Sequence, residues 1–281
     1  VLEDPIVGGM HVLMFWGFLM LSTDMFDLAS GNRFSEHLLP DILNPLWNAM
    51  VELGSTSALL GCFLALNRRV IFTPEKLKGK SQLEGNAILL LIMTICTTAF
   101  VIEAGEGPHA TYEMIGAWVA NTFVITQSTV NIAYWVHMLA ICTFLFLIPV
   151  SKHMHLVMAL PNVFFFDTQP MGKMRPLQMT DNGTAVPLDD LDLETFGASQ
   201  YTQLSWRSLI DGWACTSCAR CQDVCPAYAS GKDLNPMQII HDVRDYANEH
   251  AELLLKGEAP EEDIISRFGE ASIWACTTCN A

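Results

Sequence analysis

Four stretches of this chain are too long and too apolar for a soluble fold: about Ile6–Met25, Leu46–Ile71, Ala87–Ile102 and Asn131–Met158. A bilayer core about 30 Å thick is crossed by about 20 helical residues. No water reaches backbone groups there, so each stretch must satisfy its own N–H and C=O groups as a helix. We therefore expect four membrane spans. A weaker apolar piece, Met114–Ile125, carries Asn121 and Thr122 and reads as an interfacial helix, with a fifth span as the alternative.

Charge orients the spans. The connection after the second holds Arg68, Arg69, Lys76, Lys78 and Lys80, and the segment after the fourth holds Lys152, Lys173 and Arg175. The opposite loops carry Asp24, Asp27, Glu36 and Asp41, then Glu103, Glu106 and Glu113. The excess of Lys and Arg marks the cytoplasmic side, so both ends of the chain are expected there. The chain is 51% hydrophobic and 16% charged with a net charge of −15, and much of the acid follows residue 180. Such a charge argues against a nucleic-acid partner and for a solvated C-terminal region. Val1 stands almost directly before an apolar span, without the charged start and cleavage site of a signal peptide, and residues are expected to be missing at both ends.

The C-terminal region is organised by Trp213-Ala-Cys-Thr-Ser-Cys-Ala-Arg-Cys-Gln-Asp-Val-Cys-Pro226. Cys215, Cys218, Cys221 and Cys225 stand at C-x2-C-x2-C-x3-C-P, the bacterial ferredoxin run for a 4Fe–4S cluster. Zinc, the alternative, takes paired C-x2-C units or Cys/His mixtures. In two-cluster proteins the fourth cysteine serves the other cluster. Trp274-Ala-Cys-Thr-Thr-Cys-Asn-Ala281 supplies the first half of a second motif through Cys276 and Cys279, and its next ligand would fall just past Ala281. Cysteines in metal spacing fit a reducing compartment. Cys62, Cys96 and Cys142 stand singly in spans and read as small packing residues.

Ionisable groups inside spans need partners. His11 lies near the inner end of the first span, and the fourth carries His137, His153 and His155. His137 and His155 are eighteen residues apart, so on one unbroken helix they share a face, separated by about 27 Å. An imidazole near each membrane surface suits axial ligation of haem iron. An interfacial histidine at His155 and a carbonyl-bonded one at His137 are the competing readings; His153 would point nearly the opposite way. His37, His109, His241 and His250 are expected to be solvated.

The segment from His137 through Pro149, Ser151 and Lys152 to His155 resembles the last membrane helix of the respiratory nitrate reductase gamma-subunit family. Met10-His11-Val-Leu-Met-Phe-Trp-Gly17-Phe18 resembles that family's other ligand helix. The resemblance implies b-type haem and quinol chemistry, with His11 and His155 sharing the inner haem. Leu21 stands roughly where the family has a second histidine, so either another residue completes the outer site at His137 or that haem is absent, leaving one or two haems. Trp213–Lys232 with Leu234-Asn-Pro236 resembles the ferredoxin portion of heterodisulfide reductase-type proteins. A fusion of the two resembles the membrane iron–sulfur oxidoreductases that include electron-transfer-flavoprotein:menaquinone oxidoreductase.

The expected fold is all-α: a haem b membrane domain over 1–160, a linker over 161–205 and a helical two-cluster ferredoxin domain over 206–281. Glu52, early in the second span, could exchange a quinone proton or pair with a neighbouring dipole. The resemblances imply a quinone-linked oxidoreductase of a prokaryotic inner membrane, clusters on the cytoplasmic side, with an electron-transfer flavoprotein as donor and further subunits as partners. The alternatives are a non-catalytic electron-transferring anchor, or reversed flow from quinol to a cytosolic disulfide or sulfur substrate.

Overall fold

The computed structural model describes residues 4–29, 43–72, 80–105, 114–166, 180–181, 184–185, 198 and 200–279. The chain divides into two compact units, Val1–Leu147 and Ile148–Ala281.

Every regular element of the first unit among its described residues is a helix. It contains α1 (Pro5–Ala29), α2 (Asn44–Asn67, continued by a π-helical turn over Arg68–Phe72), α3 (Lys80–Gly105), α4 (Met114–Thr122) and α5 (Gln127–Leu147). Among the described residues, four stretches are long and apolar enough to cross a membrane: Pro5–Met25, Pro45–Phe72, Gln82–Gly105 and Gln127–Leu147. Their outer faces carry exposed apolar side chains such as Phe15, Trp16, Phe63, Leu90, Trp135 and Leu139. The short α4 stands where an interfacial helix was expected. Among the charges on which the topology rests, Glu36, Asp41, Lys76, Lys78, Glu106, Glu113, Lys173 and Arg175 lie outside the described residues, as do His37 and His109.

Helix packing in hydrocarbon gains nothing from apolar burial alone, so small residues that let backbones approach become important. The α1–α2 crossing is built this way. A Cβ on Gly17 would come within 2.7 Å of the Ala58 nitrogen and the Gly54 carbonyl oxygen. One on Gly54 would meet Met20 Cβ at 2.7 Å, and one on Gly61 would meet Met14 at 2.8 Å. The stretch Gly54–Ser57 is therefore a close-packing surface, with Gly54 and Ser55 buried. α3 then packs against α2, α4 and α5.

The fourth span differs from expectation. α5 stops at Leu147, residues 148–150 form a turn, Lys152–Met154 a 3-10 turn, and a new helix, α6, runs over His155–Phe164. Pro149 explains the stop, because proline lacks the N–H that a helix requires and its ring clashes with the carbonyl four residues back. Ser151 restarts the chain, its hydroxyl accepting from the His153 N–H at 3.2 Å. His137 and His155 are therefore on different helices and, contrary to expectation, do not share the face of one unbroken helix. The expected linker over 161–205 likewise begins inside α6, which contains Pro161.

The second unit continues with a two-residue pair, β1 (Thr180–Asp181) and β2 (Thr184–Ala185). Seven helices follow: α7 (Trp206–Ala214), α8 (Arg220–Val224), α9 (Pro226–Ala229), α10 (Pro236–Glu249), α11 (Ala251–Lys256), α12 (Ile264–Phe268) and α13 (Glu270–Trp274). Capping residues set the starts. Ser205 accepts from Ser208 N–H for α7, and Asp263 from Ser266 N–H for α12. Asn235 does the same from Gln238 N–H for α10, with Pro236 at the first turn. The stripe expected on α10 is the core: Val243, Tyr246 and Ala247 are buried with Tyr201 and Ile264, and Leu209, Trp213 and Phe268 pack around them. Tyr246, fully buried, donates its hydroxyl to the Glu262 carbonyl at 2.6 Å.

Two predictions follow from this packing. Gly17→Val should lower the melting temperature of the detergent-solubilised protein, at a cost of about 1–3 kcal/mol for overpacking. Gly9→Ala, where an added Cβ meets nothing within 4 Å, should leave the melt unchanged. In the second unit, Arg267 grips Glu249 with both ends of its guanidinium, one bond at 2.8 Å, which holds the Glu249 carboxyl below the usual carboxylate range. A depressed carboxylate stabilises the fold at neutral pH, and that contribution disappears as pH falls through the folded-state value. The protection factors of α10 amides, taken against the intrinsic exchange rate at each pH, should therefore fall on acidification, less steeply in Glu249→Gln; the effect is small because Glu249 is exposed.

Candidate metal and haem ligands

The first cysteine loop leaves the core directly. Trp213, at the end of α7, packs against the Tyr246 cluster, and Cys215 follows two residues later. From there the backbone takes an unusual path. Ser217 and Ala219 have φ of 56° and 63°, in the left-handed region. In the second half-motif Thr278 has φ of 49°, at the position that matches Ser217. Left-handed residues between right-handed ones turn successive N–H groups to one side, a concavity found at many iron–sulfur sites. The N–H groups meet sulfur: Tyr228 donates to Cys225 Sγ at 3.4 Å, and Thr278 to Cys276 Sγ at 3.5 Å. Cys225 thus caps α9, whose first residue is Pro226.

Cys215, Cys218 and Cys221 lie close enough to act on one another. Partial burial pushes the Cys221 thiol up, and the negative charge of Cys215 and Cys218 raises it further. Three thiolates gathered without a countercharge repel, whereas bound iron deprotonates its thiols outright. The donor set therefore fits an iron–sulfur cluster. Among the described residues, no three His, Cys, Asp or Glu side chains gather as ligands of one metal ion. A cubane spreads its ligand sulfurs over separate corners, farther apart than the ligands of a single ion. Cys276 and Cys279 are exposed after α13.

His241, expected in solvent, is instead at this loop. Its Nε2 lies 2.9 Å from Ser217 Oγ and 3.7 Å from Cys215 Sγ. Burial, then the nearby Arg244, lower its pKa below the ordinary histidine value. Only the i, i+4 register of α10 hints at this in the sequence: His241 belongs to a polar edge beside the buried stripe. His250 is also partly covered, its ring 4.5 Å from that of Tyr246.

The membrane-region histidines behave differently from one another. His137, half-buried on α5, has Nδ1 3.1 Å from the Ile95 carbonyl and 2.9 Å from Thr98 Oγ1. A carbonyl has no proton to give, so Nδ1 is the protonated nitrogen and Nε2 keeps its lone pair. His155 repeats the pattern, with Nδ1 2.8 Å from the Lys152 carbonyl. This is the tautomer of a metal-ligating histidine, whose other N–H is typically given to a carbonyl or carboxylate. His153 lies beside His155, ring centroids 5.7 Å apart, rather than on the opposite side. His11 is exposed on α1.

Glu52 takes the role of pairing with a dipole. Its carboxylate accepts from Met114 N–H at 3.0 Å and from Ile115 N–H, covering the N-terminus of α4. Beside it, α2, α3, α4 and α5 line a half-open apolar cavity of about 620 Å³, with Thr56, Thr97, Phe100, Ile115, Trp118 and Thr129 among its walls. Cys62 and Cys96 are buried packing residues as expected, while Cys142 is exposed on α5.

Residues 214–281 match the 4Fe-4S dicluster domain. Over 99% of its length the chain is 27% identical to a Bacillus subtilis protein named "Probable iron-sulfur-binding oxidoreductase FadF", covering 44% of that protein. It is 26% identical over 100% of its length to the "EtfAB:quinone oxidoreductase" of Syntrophomonas wolfei, again covering 44%. A third relative, the "Probable membrane-anchored ferredoxin" of Chromohalobacter salexigens, is 33% identical over 34% of the chain and 17% of its own length. The chain thus spans less than half the length of these relatives. No solved structure matches it.

Replacing Cys218 by Ser should lower the iron and acid-labile sulfide of the purified protein by about one cluster's worth, whereas Cys142→Ser should leave both unchanged.

Proposed function

We propose that this chain carries electrons between a cytoplasmic donor and the quinone pool of a prokaryotic inner membrane, as part of a respiratory chain. The donor in the leading form of the reading is a reduced electron-transfer flavoprotein. Cys215, Cys218, Cys221 and Cys225, with Cys276 and Cys279, hold two 4Fe–4S clusters, and His11, His137 and His155 are the candidate ligands of haem b. One observation carries the haem part: His137 and His155 each give Nδ1–H to a main-chain carbonyl and so present Nε2. The names of the relatives, iron–sulfur oxidoreductases with one linked to EtfAB and quinone, support the wider reading. Clusters and haem, when bound, supply one-electron redox chemistry. The residues of the chain hold them, exclude water and aim N–H groups at sulfur.

The apolar cavity of the first unit has the size of a small-molecule site and suits a lipid-soluble quinone head better than a charged substrate. Glu52 holds the start of α4 beside it and is the candidate for exchanging a quinone proton. Only direct assay distinguishes this from a second reading, which the membrane-anchored ferredoxin relative favours: an electron-transferring anchor without a substrate site of its own, working with further subunits. Flow in the opposite sense, from quinol to a cytosolic disulfide or sulfur substrate, uses the same groups.

A pyridine haemochrome assay with iron quantitation on the purified membrane protein tests the proposal. Haem in stoichiometric amount, lost in part from His155→Leu, is the expected result, and a haem-free protein overturns this route to quinone. Filling the cavity with Thr97→Phe should raise the KM for a soluble quinone analogue at least several-fold if the cavity is the site; unchanged kinetics place the reaction elsewhere.

A further inference from the structure

We propose that His241 is a positioning residue for the first cluster, its Nε2–H aimed at the Cys215 sulfur so that it raises the reduction potential of the cluster on this loop. The inference rests on the reading of these cysteines as cluster ligands.

The geometry comes from two elements. Cys215 and Ser217 belong to the loop that leaves α7, and His241 stands on α10, whose next turn enters the core through Val243, Tyr246 and Ala247. That core fixes α10, and α7 packs directly against it. Gly212, buried on α7, permits the approach: a Cβ there would come within 3.3 Å of Arg244 Cβ. The imidazole is half-buried, with Nε2 2.9 Å from Ser217 Oγ and 3.7 Å from Cys215 Sγ. Ser217 is, with Ala219, one of two left-handed residues of the loop, and its hydroxyl lies against the imidazole.

Proton inventory decides the direction of the bond. A ligating sulfur is a thiolate and can only accept. The ring nitrogen facing it must then carry the hydrogen, with the serine oxygen sharing that donor. A bond from N–H to a ligand sulfur withdraws negative charge from it. Reduction adds an electron to the cluster, so the bond favours the reduced form and raises the potential.

The second loop is built otherwise. Thr278, the counterpart of Ser217, donates its hydroxyl to the Thr277 carbonyl at 2.8 Å, and Cys276 receives a main-chain N–H. Trp213 is packed into the core, while its counterpart Trp274 is 80% exposed. Two loops of nearly identical sequence, W-A-C-T-[ST]-C, thus meet different surroundings.

The test is a redox titration followed by electron paramagnetic resonance, at one fixed pH, on the full purified protein with its clusters in place. His241→Phe should lower the midpoint of one cluster signal and leave the other unmoved. His241→Gln, whose amide keeps an N–H, should fall between wild type and His241→Phe. Equal midpoints in all three proteins, or both signals moving together, overturn the proposal. A measurement on the wild type avoids any failure of the variants to keep iron. With histidine labelled by nitrogen-15, one reduced cluster should show coupling to a histidine nitrogen and the other none. Absence of that coupling, or its equal presence at both, overturns the proposal as well.

Discussion

Sulfur ligands around a cluster need main-chain N–H groups turned toward them, and that requirement fixes much of the second unit. Ser217, Ala219 and Thr278 hold left-handed backbone in the two cysteine loops, and the Thr278 N–H points at Cys276 Sγ. For residues other than glycine this costs about 1–3 kcal/mol each unless the surroundings impose it. The surroundings here are the α7–α10–α12 core. Trp213 anchors the loop from one side, and Cys225 caps α9 on the other. The core between the two half-motifs is thus a holder for loop geometry more than a site in itself.

The first unit meets a different constraint. Its helices satisfy their own backbone, so side-chain size decides how they approach. Gly17, Gly54 and Gly61 form the α1–α2 contact because no larger residue fits there. Polar side chains in the spans mostly return to nearby backbone: Thr94, Thr97 and Thr143 each donate to the carbonyl four residues back. His137 is an exception, bonding across from α5 to α3, and that cross-helix bond is what selects its tautomer.

Much of this was legible in the amino-acid order. Apolar length marked the spans, and cysteine spacing marked the loops, because both signals are local. Asn235-Pro236 and the stripe through Val243, Tyr246 and Ala247 were readable for the same reason. The interruption at Pro149 was visible as a residue, yet the apolar composition on both sides masked its effect. Contacts between distant positions were not readable. Glu52 reaches the start of α4 more than sixty residues later, and His241 meets Cys215 across twenty-six. Neither separation leaves a periodic trace. The tautomers at His137 and His155 depend on a neighbouring helix and a turn that the sequence does not spell out.

The turn between α5 and α6 has a consequence for how such a chain tolerates change. In an unbroken helix, inserting one residue rotates everything beyond it by about 100° and lifts it by about 1.5 Å. His155 begins its own helix after a proline, a serine cap and a 3-10 turn, so its ring direction is set by the Lys152 carbonyl nearby. Insertions and deletions over residues 148–151 are absorbed by irregular backbone, while the same changes inside α5 would scramble the register of His137 against Ile95 and Thr98. Length variation among descendants of this sequence should accumulate at that joint.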